Sequence, residues 1–206
     1  MDIQFYGANC VSLSYKGVRL VVDDNLAELG AKNIVRPDDV ALFTGPHGSV
    51  KARLVLDGPG EYEVSDISIV GLAERAQIDE ANQHNATMFK LLIGDLSVLV
   101  TGHVYPEISE RQLEQIGLVD VLIVPVGGNG YTVDPIGALK LIKEIEPKLV
   151  IPTHYADKTL KLPVPQQELS QALKELAMEP KETTTKLRLK PGEMADLMQL
   201  IVLEKS

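Results

Sequence analysis

Residues 119–155 read VDVLIVPVGGNGYTVDPIGALKLIKEIEPKLVIPTHY, and this stretch decides the fold. Val119 to Val126 is a β-branched apolar run with the length of a buried strand. The glycine loop Gly127–Gly130 follows. Its composition fits a strand-to-helix turn with positive φ, with the mouth of a site as the sharper alternative. Asp134 then stands as an N-cap, with Pro135 at the first helical position, where a missing N–H costs nothing. Ile136, Leu139, Ile142 and Ile145 recur at three-residue steps, with Lys140, Lys143 and Glu144 between them, so the spacing predicts an amphipathic helix. Pro147 ends it. Leu149-Val150-Ile151 forms a second buried strand that delivers His154 at its carboxyl end. The unit is β-α-β with a right-handed crossover expected. Ligand sites in α/β layers lie at the carboxyl ends of strands, which makes His154 the first candidate for chemistry.

Working outward, the first part of the chain is rich in short strands. IQFYG, CVSLSY and VRLVVDD occupy residues 3–24, with Lys16-Gly17 marking a hairpin between the last two. Val40 to Thr44 is a short apolar strand running into the loop Gly45-Pro46-His47-Gly48-Ser49. Lys51 to Asp57 alternates, Glu61 to Leu72 makes two strands or one bent strand, and Thr87 to Gly102 is a pair joined at Gly94-Asp95. His84 lies in the polar run before that pair, and His103 lies just after it. Helices are expected over 109–117, 134–146 and 165–178, the last with Leu169, Leu173, Leu176 and Ala177 inward. The tail pieces KLRLKPG and MQLIVLEKS read as a closing strand pair around Pro191-Gly192. The pattern changes from strand pairs to strand–helix alternation near residue 105. Two face-to-face sheets, one from each half of the chain, with helices outside, are the expected architecture.

Bulk properties narrow the function. The 206 residues suffice for a sizeable core, and the formal net charge of −9 disfavours nucleic acid or an anionic membrane as partner. A single cysteine rules out an intramolecular disulfide framework; Cys10 reads as a small core residue rather than a thiolate ligand. Aromatic content of 4% argues against a base- or sugar-stacking platform. No apolar run approaches the roughly 20 residues needed to cross a bilayer, and no basic leader precedes one, so a cytoplasmic location is the expectation. Asp23-Asp24 reads either as support for a ligand histidine or as a solvated strand end. Ser49 has no neighbouring base in sequence that would make it a nucleophile.

The N-terminal strands, the phrase PGEYEV at 59–64, VDVLIVPVGG at 119–128 and EPKLVIPTHY at 146–155 together resemble the metallo-β-lactamase fold superfamily, over residues 1 to about 156. The resemblance implies a single 1–206 domain of α/β class, a four-layer αββα sandwich. It also implies an HxHxDH loop, a later His, an Asp in a Gly-Asp turn and a final His, binding one or two metal ions, usually zinc. Such a metal activates water against an ester, amide or phosphodiester bond.

Here that signature is eroded. The loop reads TGPHGSV, so Gly45, His47, Ser49 and Val50 stand where His, His, Asp and His belong, and Ala8 replaces a histidine near the first strand. Gly102-His103 replaces the Gly-Asp turn. All four histidines of the chain, His47, His84, His103 and His154, nevertheless match family ligand positions and form the expected metal set. His47, His103 and His154 are expected to converge, with His84 the first to fall away. The implied reading is a degenerate hydrolase-like protein with at most one zinc and weak or no hydrolysis. A working metal-dependent hydrolase with a small-molecule substrate and a metal-free binding or assembly module remain the alternatives. No catalytic residue is assigned from the sequence.

Overall fold

The computed structural model describes residues 1–190, 192, 194–195 and 197–206. Two mixed β-sheets pack as an α/β sandwich. The six-stranded sheet contains β1 (Asp2–Gly7), β2 (Cys10–Tyr15), β3 (Val18–Val22), β4 (Val40–Leu42) and β5 (Leu54–Leu56), with β13 (Leu187–Arg188) on the edge beside β1. Its first strands pair antiparallel, whereas β3, β4 and β5 run parallel.

The eight-stranded sheet begins with β6 (Gly60–Val64), β7 (Ile67–Glu74), β8 (Ala86–Ile93) and β9 (Leu96–Val100), all antiparallel. It continues through β10 (Val121–Pro125), β11 (Leu149–Thr153) and β14 (Gln199–Leu203) in parallel, and β12 (Glu182–Thr184) closes its edge. The expected β-α-β unit is therefore β10, α2 (Pro135–Ile145) and β11, with Ile123 opposite Ile151.

The division between the sheets corrects the expected equal halves. It falls between β5 and β6, because the hairpins of residues 60–100 join the parallel strands through β9 rather than the N-terminal sheet. The tail also departs from the expected closing pair. Leu187 pairs with Ile3 in one sheet while Leu200 pairs with Val150 in the other, so the two tail strands straddle the sandwich. Of the turn expected between them, Pro191 lies outside the described residues.

Period-two alternation builds the layers. From β10, Val121 and Ile123 point into the space between the sheets, where they meet Phe89, Leu91, Val98 and, across the gap, Phe5, Leu13 and Leu20. Leu122 and Val124 point the other way, onto Ala138, Leu141 and Ile142 of α2, Ile116 of α1 (Glu110–Ile116), and Ala172 and Leu176 of α3 (Leu169–Leu176). The outer face of the six-stranded sheet buries Cys10 and Val21 beneath Leu26, Leu29 and Leu160 from connecting segments. Cys10 is thus a packed core residue, and burial pushes its thiol well above the usual range.

Helix caps follow the sequence closely. Ser109 and Gln112 form a capping box, Asp134 accepts from the Gly137 N–H, and Glu146 closes α2 in the left-handed region. The inward face of α2 does not. Ile136 is exposed, and the buried stripe runs Ala138, Leu141, Ile142, Ile145. Three-residue steps slip back about 60° each around a helix of 3.6 residues per turn, so a strict i+3 row cannot stay on one face. α3 begins later than expected, after Glu168, because the preceding residues wrap the site loop, with Gln167 N–H donating to Gly127 O.

At the end of β7, Glu74 is buried with Gln112 of α1 donating to its carboxylate. Burial raises its pKa from 4.5 to about 7. A carboxyl whose folded pKa is raised binds its proton more tightly folded than unfolded, so the charged form costs stability above that range. Glu74→Gln is expected to stabilise the protein by about 1–2 kcal/mol above pH 7, after discounting for partial solvent contact, and to change little below pH 4.5. Urea midpoints for the pair of proteins at both ends of that range measure it; equal midpoints at high pH would refute it.

Candidate functional site

The site forms where β1, β3, β4, β9 and β11 end together at one edge of the sandwich. Asp23 follows β3, Thr44 follows β4, Gly102-His103 follows β9 and His154 follows β11. Three non-glycine residues here adopt left-handed backbone: Ala8 at φ 47°, Asp23 at φ 49° and His154 at φ 53°. Such conformers cost on the order of 1–3 kcal/mol each and persist where surrounding contacts fix them. The contact holding His154 is its N–H, which donates to Ala8 O at 2.7 Å.

Asp23 is the hub. It is fully buried, and it accepts from the Thr44 N–H at 2.7 Å, the Thr44 hydroxyl at 2.5 Å and Asn9 Nδ2 at 2.5 Å. Asn9 Oδ1 in turn accepts from the Thr153 hydroxyl at 2.6 Å. Burial raises the Asp23 carboxyl, and the three donors oppose that rise. The Asp23-Asp24 pair is therefore no solvated strand end: Asp24 Oδ2 accepts from the Ile34 and Val35 N–H groups and fastens the following segment.

Thr44 passes the chain on to His103. Its Oγ1 lies 3.1 Å from His103 Nδ1, and Asp23 Oδ2 is 3.8 Å from the same nitrogen. Because the Thr44 hydroxyl spends its proton on Asp23, its oxygen accepts from Nδ1–H. That assigns the neutral tautomer of His103 with the lone pair on Nε2. Nε2 is buried without a hydrogen-bond partner, as is Nδ1 of His154. The two rings stand edge to face with centroids 5.5 Å apart, and the Tyr131 ring lies 5.7 Å and 5.9 Å from them. Burial lowers both imidazoles, His154 further through its neighbour His103, so each titrates at about 4. Both are neutral at physiological pH.

The other two candidates sit elsewhere. His47 is half exposed, stacked on Phe43 with centroids 4.4 Å apart, its Nε2 3.7 Å from Asp57. His84 is exposed in the irregular segment before β8. The expected convergence of His47 with His103 and His154 is thus corrected. The Gly45-Pro46 bend carries His47 outward, and His103 takes the room inside: a Cβ on Gly45 would stand 3.0 Å from Cβ and Cγ of His103. The glycine at the first signature position and the histidine at the turn position go together. Gly102, at φ 60°, has no space for a side chain either, since a Cβ there would enter the Thr44 side chain.

A hydrolytic zinc needs three protein ligands and a water. This edge offers the His103 Nε2 lone pair and the unpartnered Nδ1 of His154, and the one carboxylate beside them already accepts from three donors. Among the described residues no three His, Cys, Asp or Glu side chains gather so as to hold an ion. The residues present do not fit the family's metal centre.

The family model described as the beta-lactamase superfamily domain matches residues 2–154. The chain belongs to that family. This beta-lactamase superfamily member is 25% identical over 184 residues to the UPF0173 protein of Pyrococcus abyssi, covering 75% of this chain and 83% of that one. A UPF0173 metal-dependent hydrolase of Carboxydothermus hydrogenoformans is 38% identical over 71 residues, 34% of this chain and 31% of its own. Among solved structures, a proposed Zn-dependent hydrolase of the metallo-beta-lactamase superfamily from Thermotoga maritima superposes with TM-score 0.78 at 26% identity, covering 98% of each chain. Relatives of this superfamily member thus include proteins named for metal-dependent hydrolysis, one of them for zinc, which suggests a metal ion in the family. Of the residues that shape the edge here, Asn9, Thr44, Tyr131 and Thr153 escape a reading of the sequence, because none carries a motif. The hub is signalled by the acidic Asp23-Asp24 pair ending an apolar strand, and of its two readings the structure favours support for a histidine, with Asp23 Oδ2 3.8 Å from His103 Nδ1.

Proposed function

We propose that this beta-lactamase superfamily member is a degenerate hydrolase-like protein, holding at most one weakly bound ion and hydrolysing little or nothing. The observation that supports it best is the engagement of Asp23: the one carboxylate beside His103 and His154 already accepts from the Thr44 N–H, the Thr44 hydroxyl and the Asn9 amide, so it is held in the protein's own hydrogen bonds. Two neutral imidazoles give a poor zinc site, and an imidazole-only set suits magnesium or calcium even less. A cytoplasmic setting and a small-molecule partner go with this reading, and the net charge of −9 disfavours nucleic acid.

The second reading, a working metal-dependent hydrolase, draws support from the names of the relatives and from the two unpartnered ring nitrogens. A zinc-supplemented assay with ester, phosphodiester and β-lactam substrates separates them, run on the wild type beside His154→Ala with metal content measured on both. The expected result is metal well below stoichiometric and no turnover that depends on His154. Stoichiometric zinc with turnover abolished by the substitution would restore the hydrolase.

A further inference from the structure

We propose that the free edge of β6 is a docking strand for an extended segment of a partner protein that carries lysine or arginine at alternate positions. The inference goes beyond the degenerate reading and does not depend on metal or turnover.

β6 pairs with β7 on one side only and ends the eight-stranded sheet. The other three sheet ends, β5, β12 and β13, have two or three residues, whereas β6 has five. Register fixes which of its backbone groups are unpaired. Val64 and Ile67 flank the two-residue turn Ser65-Asp66, whose first residue is left-handed at φ 55°. Such a hairpin makes Val64 and Ile67 a hydrogen-bonded pair, and bonded pairs recur at every second residue, at Tyr62–Ile69 and Gly60–Gly71. The N–H and C=O groups of Glu61 and Glu63 therefore point outward from the edge. No other backbone bond among the described residues takes them up. An arriving strand meets two donors and two acceptors in a row, the pattern that strand addition uses.

The side chains decide which strand fits. Glu61 and Glu63 are exposed on the outer face of the sheet, opposite Val70 and Ser68. None of the ion pairs among the described residues includes either glutamate. Two lysines belong to the same neighbourhood, and both are turned elsewhere. Lys16 is bonded to Asp66 of the turn at 3.2 Å. Lys90 stands third in its row, beyond Glu61 and Val70, with its amine beside Gly117. A lysine or arginine opposite Glu61 or Glu63 forms a cross-strand ion pair, whereas a like charge there repels. A second copy of this chain is disfavoured on that ground: two β6 strands paired antiparallel about Tyr62 set Glu61 against Glu63 twice. The position between the glutamates falls on the inner face beside Tyr62, which packs against the core between the sheets, so an apolar residue suits it. The net charge of −9 draws a basic segment in.

The test titrates the full chain with a fluorescent synthetic peptide of alternating lysine and valine, and follows hydrogen exchange at the backbone amides of Glu61 and Glu63. Saturable binding with slowed exchange at both amides is the expected result. Glutamate in place of the peptide's lysines should weaken binding about tenfold or more. N-methylation of the peptide amides that face β6 keeps the charge, removes the donors, and should weaken binding about as much. Glu61→Lys combined with Glu63→Lys should reverse the preference between the lysine and glutamate peptides, a result that a misfolded variant would not give. No saturable binding of the lysine peptide overturns the proposal. So does an N-methylated peptide that binds as well as its parent, or a charge-reversed protein that still prefers lysine. Free protein that sediments as a dimer with both amides already protected would make a second copy the occupant, and overturns it too. The titrations use neither zinc nor substrate. Zinc-dependent turnover would sink the degenerate reading and leave them standing, while failed titrations would leave the assays of metal and hydrolysis untouched.

Discussion

Between pH 6.5 and pH 4 this protein is expected to lose on the order of 6 kcal/mol of folding stability through two buried histidines. An unfolded imidazole takes its proton near 6.5, whereas burial holds the folded His103 and His154 at about 4. Inside that window the unfolded chain binds protons that the folded one refuses, so acid favours unfolding. The contribution is fully present above 6.5 and is lost as pH falls toward 4, about 3 kcal/mol for each ring. For His154 part of that lowering comes from its neighbour, since the ring centroids are 5.5 Å apart. Glu74 works in the opposite direction, regaining about 1–2 kcal/mol as it takes up a proton below its raised pKa of about 7. The net loss is comparable to the whole stability of an ordinary domain, about 5–15 kcal/mol. Urea unfolding at a series of pH values, beside NMR titration of the two imidazoles, measures it. Rings that titrate near 6.5, or a stability flat across the window, would show that the site edge is open to water.

Asp23→Ala should cost about 4 kcal/mol at neutral pH, because it strands the Thr44 N–H, the Thr44 hydroxyl and the Asn9 amide in a buried place. Some of that loss is offset by removing a carboxylate whose burial is itself unfavourable, as its raised pKa indicates. Substituting the left-handed Asp23 by alanine adds backbone strain, since Asp tolerates that region better. Asp23→Asn should cost roughly half as much. Its carbonyl still accepts, but its amide faces another donor at Asn9 or Thr44. The hub also sets the tautomer of His103, so the alanine variant should change the Nδ1–H resonance of that ring. A solvated Asp23 would instead give a change within about 0.5 kcal/mol for both variants, and no effect on His103.

Local pattern carried much of the architecture. The apolar runs at 119–126 and 149–151, the Asp134-Pro135 start, the helix expected over 109–117 and the Gly94-Asp95 hairpin are settled within a few residues of chain, and the structure places β10, β11, α2, α1 and the β8–β9 turn on them to within a few residues. The same holds for His154, whose place at a strand end follows from the β-α-β unit alone. Pairing partners are different in kind. Whether residues 60–100 join the N-terminal or the parallel strands, and whether the two tail strands meet, depends on contacts between segments far apart in sequence.

The site divides the same way. Matching the four histidines to family positions identified the two that meet, His103 and His154, together with two that do not. Spacing along a loop cannot say which way a side chain turns. The Gly45-Pro46 bend turns His47 to the surface, and the room left inside is taken by a ring arriving from another strand end. Asp23, Asn9 and Thr44 lie in three separate stretches, and only Asp23, in its acidic pair, stands out from the sequence. What makes them a unit is burial, which removes water as a competing partner and forces each donor and acceptor to find another. Burial of that kind is a property of two packed sheets and belongs to no single stretch of sequence.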